Sequence, residues 1–246
     1  MIKLGLIGTP IAHSLSPSLH KGFMNSVGLQ GSYELFEMEQ LPSEGLRRFM
    51  KNRQLTGLNV TIPFKEQVVH ELDEIDESAE QLRTVNTIVV ENEKLIGYNT
   101  DVFGIAKSLD KLAILPKTAL VFGSGGASKA VVDVLDKRGC IAQIFSRSDN
   151  GNSYESLHSE EARKHLLWVN CTPVGTRGVE PHLLPLPYAV LNEEFAIFDL
   201  VYIPNPTPFM NEGLKRGAKV IGGEIMLNEQ AKKSWLLFHD AYYRNL

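Results

Sequence analysis

Short apolar runs alternate with amphipathic stretches along this chain, and the alternation changes character near its middle. Leu4-Gly5-Leu6-Ile7-Gly8 predicts a short buried strand. Ser16-Pro17 predicts a helix start, Ser16 as the cap and Pro17 at the first helical position. Leu19, Phe23 and Val27 recur every fourth residue as one apolar face, and Gly28 supplies the stop. Tyr33 to Met38 reads as a second strand, and Leu46, Phe49 and Met50 share a helical face within 41–52. Leu58 to Ile62 alternates and ends at Pro63, as a strand would. Helices follow over 65–72 and around 76–83, then a hairpin pairs 87–90 with 94–98 around Glu91-Asn92-Glu93.

Beyond Thr100, which leads into a helix, strands alternate with longer helices. Strands are predicted at 118–122, 141–146, 167–170, 196–200 and 219–221, with a helix over 127–138. This rhythm predicts a parallel sheet with helices on both faces. A last helix, about 225 to 243, is long enough to leave that unit and pack on the first. Gly151-Asn152-Ser153 and the stretch from Pro181 to Pro187 read as surface loops.

Composition narrows the class without naming a chemistry. The chain has 246 residues, 43 % hydrophobic and 22 % charged, which excludes disorder as the main state. Lys and Arg number 25 against 29 Asp and Glu, a formal charge of −4, so there is no footprint for nucleic acid or an anionic membrane. No stretch nears the roughly 18 apolar residues that cross a bilayer, and the N-terminal apolar run is too short for a secretory signal. Cys140 and Cys171 make no disulfide framework and no C-x-x-C pair, which fits a reducing cytoplasm. The expected partner is a small molecule.

Candidate chemistry begins at Gly123-Ser124-Gly125-Gly126-Ala127-Ser128, where an apolar strand meets a helix. A dinucleotide pyrophosphate sits in such a place, on backbone N–H groups and the positive end of the helix dipole. A tight strand-to-helix connection is the plainer alternative. About 20 residues on, an NAD enzyme places an acid against the ribose; this chain has Ser146-Arg147-Ser148. Arg147 can meet a 2′-phosphate with charge-assisted hydrogen bonds, which favours NADP, although it also reads as a surface arginine with Asp149 beside it.

The first half carries polar clusters. Ser14 and Ser16 can hold a carboxylate, and Ser16 alone can cap a helix. Asn59 and Thr61 share one strand face, and Lys65 stands where the next helix starts. A cation at a helix N-terminus is disfavoured by the dipole, a setting suited to a proton-transferring lysine; the plain alternative is a solvated lysine. Asp101, after Asn99-Thr100, is either a first-turn acid or the partner of Lys65. His70-Glu71-Leu72-Asp73-Glu74 lacks the second histidine of a zinc helix and reads as a solvated face. No metal is expected, His13 is expected to be structural, and Cys171 a buried thiol.

Taken in order, Ser14-Leu15-Ser16-Pro17, Asn59-Val60-Thr61-x-Pro63-x-Lys65, Val85-Asn86-Thr87, Asn99-Thr100-Asp101-x-x-Gly104, the glycine turn, Asn170-x-Thr172-Pro173-x-Gly175, Asp199-x-x-Tyr202 with Thr207-Pro208-Phe209, and Gly223-x-x-Met226-Leu227-x-x-Gln230 resemble the shikimate dehydrogenase family. The resemblance implies an α/β fold in two parts. One is an N-terminal substrate-binding domain with a mixed sheet, residues 1–101 plus the C-terminal helix about 225–246. The other is a Rossmann-like NADP-binding domain, residues 102–224. It implies NADPH-dependent interconversion of 3-dehydroshikimate and shikimate by a cytoplasmic monomer or homodimer.

By the same resemblance Ser14, Ser16 and Tyr202 would bind the substrate carboxylate, and Thr61, Lys65, Asn86, Asp101 and Gln230 the ring hydroxyls. Lys65 would be the acid–base residue with Asp101 beside it. Gly123, Ser124, Gly125, Gly126, Ala127, Ser146, Arg147, Ser148, Leu200 and Gly223 would line the cofactor. Glu77 also matches a cofactor position of the family, with no physical reason for an acid there. Ser146-Arg147-Ser148 departs from the family's usual Asn-Arg-Thr, and the chain is short between Ser148 and Asp199. An NAD-using quinate/shikimate dehydrogenase and a non-catalytic nucleotide sensor are the alternatives; the sensor would not need Lys65 and Asp101 together.

Overall fold

The computed structural model describes residues 1–112, 114, 116–147 and 152–246. The chain divides into two compact units, Met1–Thr100 with Asn228–Leu246, and Asp101–Leu227.

The first unit runs β1 (Ile2–Gly8), α1 (Ser16–Ser26), β2 (Gly31–Glu37), α2 (Leu46–Arg53), β3 (Gly57–Val60), β4 (Glu74–Ile75), α3 (Glu77–Glu80), β5 (Thr87–Glu91) and β6 (Lys94–Tyr98). Its six strands lie in the order β2-β1-β3-β5-β6-β4. β2 and β3 run parallel to β1, whereas β5 is antiparallel to both β3 and β6, so the sheet is mixed. Asn92 and Glu93 close the hairpin, both at positive φ, as a two-residue turn between right-twisted strands requires.

Two local expectations fail for identifiable reasons. In α1 the buried side chains are His20 and Met24, one position beyond the expected face, and Val27 is exposed. His20 stacks on Tyr33 of β2 with ring centroids 4.6 Å apart, and Met24 packs with Ile2, Leu4 and Trp235, so the neighbouring sheet selects the stripe. Residues 65–72 do not form an α-helix; Gln67–Glu71 is a single 3-10 turn that buries Val68 and Val69. So short a segment has little helical stability of its own. Its acids are not merely solvated, since Glu71 accepts the Leu46 N–H at the start of α2 and Asp73 accepts from Leu95 N–H.

The second unit runs α4 (Asp101–Leu112), β7 (Thr118–Phe122), α5 (Gly126–Lys137), β8 (Ile141–Phe145), α6 (Ser159–Ala162), β9 (Leu167–Asn170), β10 (Ala196–Asp199), α7 (Pro208–Leu214) and β11 (Lys219–Ile221). α8 (Gly223–Arg244) begins here and continues into the first unit. The five described strands are all parallel, in the order β11-β10-β9-β7-β8. β7, β9 and β10 are near-continuous apolar runs, as strands covered on both faces must be. Phe122, Trp168, Ile197 and Phe209 form the centre of this core. The chain reverses its direction of winding between β7 and β9, the point where open parallel sheets bind ligands beyond their carboxyl ends. Numbered within the unit the order is 2-1-3-4-5, a doubly wound sheet with one outer strand fewer than the six-stranded dinucleotide fold.

Candidate active site

In the first unit Ser14 and Ser16 follow β1, and Thr61 and Lys65 follow β3. Ser14 Oγ accepts the Ser16 N–H at 3.2 Å. Ser16 is not the cap expected of it but the first residue of α1, whose N-cap position is Leu15 with no side-chain cap bond. Burial pushes the titration of the Tyr33 phenol far above its ordinary value, against a smaller opposing pull from the Ser16 hydroxyl. Tyr33 donates to Asn59 Oδ1 at 2.8 Å. Asn59 Nδ2 donates to Asn86 O, Thr87 Oγ1 and Ser234 Oγ within 3.0–3.2 Å. Ser234 Oγ shares hydrogen bonds with Thr87 Oγ1 at 2.8 Å and Thr100 Oγ1 at 3.1 Å.

The predicted Asn86 and Gln230 are tied into the same network. Asn86 Oδ1 accepts the Thr100 N–H at 2.8 Å, Asn86 Nδ2 donates to Thr100 Oγ1 at 3.0 Å, and Thr100 Oγ1 donates to Gln230 Oε1 at 3.3 Å. Every one of these groups is neutral. In low dielectric such a network is stable only when its members are satisfied, and it holds the amides of Asn86 and Gln230 in fixed orientations.

Thr61 lies just past β3, with its N–H on Ile7 O at 3.0 Å. Lys65 is half-buried in the turn before the 3-10 segment, and its carbonyl accepts Val85 N–H at 2.8 Å, which ties it to the residue before Asn86. The helix-dipole argument for Lys65 does not hold, because no α-helix starts there. Glu77 is an exposed first-turn acid of α3, whose cap is Asp76, and His13 is exposed rather than structural.

In the second unit Asp101 is the buried first residue of α4. The glycine turn joins β7 to α5. Gly123 has φ +109°, and a Cβ there would stand 3.0 Å from Thr172 Cγ2. Gly125 caps α5 without a side chain, and a Cβ on Gly125 or Gly126 would meet nothing within 4 Å. Open N–H groups at the start of a 12-residue helix, with no side chain over them, fit a diphosphate. Ser128, in place of a third glycine, is buried in α5.

Gly123 N–H bonds Phe145 O at 2.7 Å, Cys171 N–H bonds Phe122 O at 2.9 Å and Leu200 N–H bonds Asn170 O at 3.0 Å, so backbone bonds stitch the loops together. A Cβ on Gly223 would stand 2.0 Å from the Leu200 carbonyl oxygen, so Gly223 and Leu200 touch as only glycine permits. Tyr202 follows, half-buried. Ser146 is buried at the end of β8, and Arg147 is exposed beside it, where its charge lowers the titration of the Tyr154 phenol against the rise caused by burial. Ser148 lies outside the described residues. Among the described residues no cluster of His, Cys, Asp or Glu is arranged for a metal ion, and no helix is long and apolar enough to cross a membrane.

A family model for the shikimate dehydrogenase substrate binding domain matches residues 6–88. Shikimate dehydrogenase (NADP(+)) of Archaeoglobus fulgidus is 36 % identical over 96 % of this chain and 91 % of its own length. The chain belongs to the shikimate dehydrogenase family. Among solved structures, shikimate 5-dehydrogenase from Thermus thermophilus in complex with NADP(H) and shikimate covers all of both chains at 34 % identity and TM-score 0.83. Quinate dehydrogenase from Corynebacterium glutamicum in complex with NAD aligns at TM-score 0.87 and 25 % identity, over 97 % of this chain and 94 % of that one.

The sequence reading missed the groups that hold this family's polar cluster together here, namely Tyr33, Thr87, Thr100 and Ser234, and left Asn59 as one polar face of a strand. A signal was available for two of them: Asn59 stands inside the apolar run of β3, and Thr87 opens the apolar run of β5. Polar residues at core positions need partners.

Proposed function

We propose that the chain is an NADP-dependent shikimate dehydrogenase, which reversibly reduces 3-dehydroshikimate to shikimate in aromatic (chorismate) biosynthesis, working in the cytoplasm as a monomer or homodimer. One observation carries this reading: the whole-length likeness to a relative solved with both NADP(H) and shikimate.

The proposed division of labour follows the motifs. Ser14, Ser16 and Tyr202 hold the substrate carboxylate, and Thr61, Asn86, Asp101 and Gln230 orient the ring hydroxyls. Gly123 to Ala127 hold the diphosphate on open N–H groups, Leu200 and Gly223 line the nicotinamide end, and Ser146, Arg147 and Ser148 hold the adenosine end, Arg147 on the 2′-phosphate. When bound, the dinucleotide supplies the hydride that reduces the C3 ketone.

Lys65 does the proton work. As an ammonium it stabilises the negative charge that grows on the C3 oxygen and donates the proton to it; in the oxidative direction the neutral amine takes that proton back. Asp101 is the acid that the family motif assigns as the partner of that amine.

The NAD-bound quinate dehydrogenase supports a second reading, an NAD-using quinate/shikimate dehydrogenase. The exposed arginine at 147, where a ribose-binding acid would serve NAD, favours NADP. Absorbance at the nicotinamide band, with shikimate or quinate and each dinucleotide in turn, tests both. Reduction of NADP by shikimate is expected, and a strong NAD preference would overturn the cofactor assignment. Replacing Arg147 by Ala should raise KM for NADP about 10- to 100-fold while leaving that for NAD nearly unchanged.

A further inference from the structure

Asp199 ends β10 in register with Asn170, which ends β9 and is itself in register with Phe122, the residue before the glycine turn. Its side chain is fully buried. Oδ1 accepts Asn170 Nδ2–H at 2.9 Å and Val201 N–H at 3.0 Å, and Oδ2 accepts the Thr207 hydroxyl at 2.6 Å. Thr207 in turn accepts Met210 N–H as the cap of α7. One carboxylate therefore joins three separate segments: the end of β9, the chain after β10 and the start of α7. Val201, which it grips by the N–H, accepts Gly223 N–H through its carbonyl at 3.1 Å. All three donors to Asp199 are neutral, so burial pushes the carboxyl up to about 6, against the pull of its hydrogen bonds. A carboxylate that gathers three donors from three segments at a site that disfavours its charge points to a role in positioning those segments.

We propose that Asp199 is a positioning residue whose carboxylate fixes the Leu200–Tyr202 segment against Gly223 and the end of β9, and so orients the groups that meet the nicotinamide end and the substrate carboxylate. This rests on the reading of Leu200, Tyr202 and Gly223 given above. The bonds are strongest when the acceptor is charged, so grip on the segment weakens as Asp199 protonates. The titratable groups facing it are the Cys171 thiol, just beyond β9, and the Tyr188 phenol. Burial raises both far above their ordinary values, so both stay neutral while Asp199 titrates.

The test is steady-state shikimate oxidation by wild type, Asp199→Asn and Asp199→Ala from pH 5.5 to 8.5, with thermal melting of each. The Asn variant keeps an oxygen for Asn170 and Val201 and imitates the protonated acid. Its KM for NADP should be flat with pH and equal to the acid plateau that wild type reaches several-fold above its pH 8 value. The Ala variant should raise KM for both ligands tenfold or more at every pH, with a smaller change in kcat. An acid rise in KM that persists in Asp199→Asn, or unchanged KM in a folded Asp199→Ala, would overturn the proposal. If the Ala variant does not fold, the Asn profile alone decides. If wild type oxidises no shikimate, the reading of the site fails instead, and fluorescence titration with NADPH then tests Asp199 by itself. In that case weakening of wild-type binding on acidification that is absent in Asp199→Asn supports the role, and identical pH dependence in the two refutes it.

Discussion

The two units solve the same problem, holding polar groups still at the ends of strands, by different means. In the first, side chains do the holding: Tyr33, Asn59, Thr87, Thr100 and Ser234 bond one another and fix Asn86 and Gln230. In the second, the backbone does most of it. Gly123, Cys171, Leu200 and Gly223 are pinned by main-chain bonds, with Asn170 and Asp199 as side-chain ties. A mixed sheet presents different strand ends to one cluster and leaves gaps for side chains to bridge. A parallel sheet brings several loops to one edge in register, where their peptides meet directly. The first arrangement suits a ligand read group by group, the second a ligand held by N–H donors.

The comparison breaks most sharply at Lys65, whose contribution is chemical rather than architectural. Lys65→Ala should lower kcat about 10²- to 10⁴-fold with a much smaller change in shikimate KM, measured by steady-state kinetics. A near-wild-type rate would remove it from the mechanism. Next comes backbone contact in the second unit. Gly223→Ala forces a methyl into the Leu200 carbonyl, so it should cost about 1–3 kcal/mol in denaturant unfolding and weaken NADP binding.

The matching side-chain test in the first unit is Ser234→Ala. It strips an acceptor from Asn59 and a partner from Thr87 and Thr100 and should cost about 1–2 kcal/mol. Shikimate affinity should fall and NADP affinity should not.

The smallest effect is the most specific, because the buried titratable groups of the two units respond to acid with opposite sign. Burial lowers His20 to about 3. Its folded value lies below the unfolded one, so the unfolded chain binds the extra proton, and stability present above pH 6.5 is lost as pH falls toward 3. Burial raises Asp199 to about 6. There the folded state binds the extra proton, so stability grows as pH falls from about 6 toward 4. From pH 7 to 5 His20 should cost about 2 kcal/mol and Asp199 return about 1 kcal/mol. Urea unfolding of His20→Phe and Asp199→Asn at both values checks this: the first variant should lose less stability on acidification than wild type, the second more.

Much of the second unit was legible in advance. The strands at 118–122 and 167–170 stand where their apolar runs place them, because strands covered on both faces must be apolar nearly throughout. Legibility was poorer where one face is shared. The stripe of α1 moved by one residue because His20 found an aromatic partner in β2, and residues 65–72 shrank to one 3-10 turn.

What the sequence determined alone was local: the glycine turn between strand and helix, the serine pair where α1 starts, the lysine after Pro63, the hairpin around Glu91-Asn92-Glu93, and the ordered motifs that mark the family. These depend on backbone conformations and side-chain chemistry that neighbours in the chain dictate. What only the tertiary structure decided was partnership. That Tyr33 and Ser234 meet through Asn59, and that Gly223 lies on the Leu200 carbonyl, are contacts between residues 23 to 175 positions apart. No local pattern encodes them, because a buried donor takes whichever acceptor the packing of distant elements brings within reach.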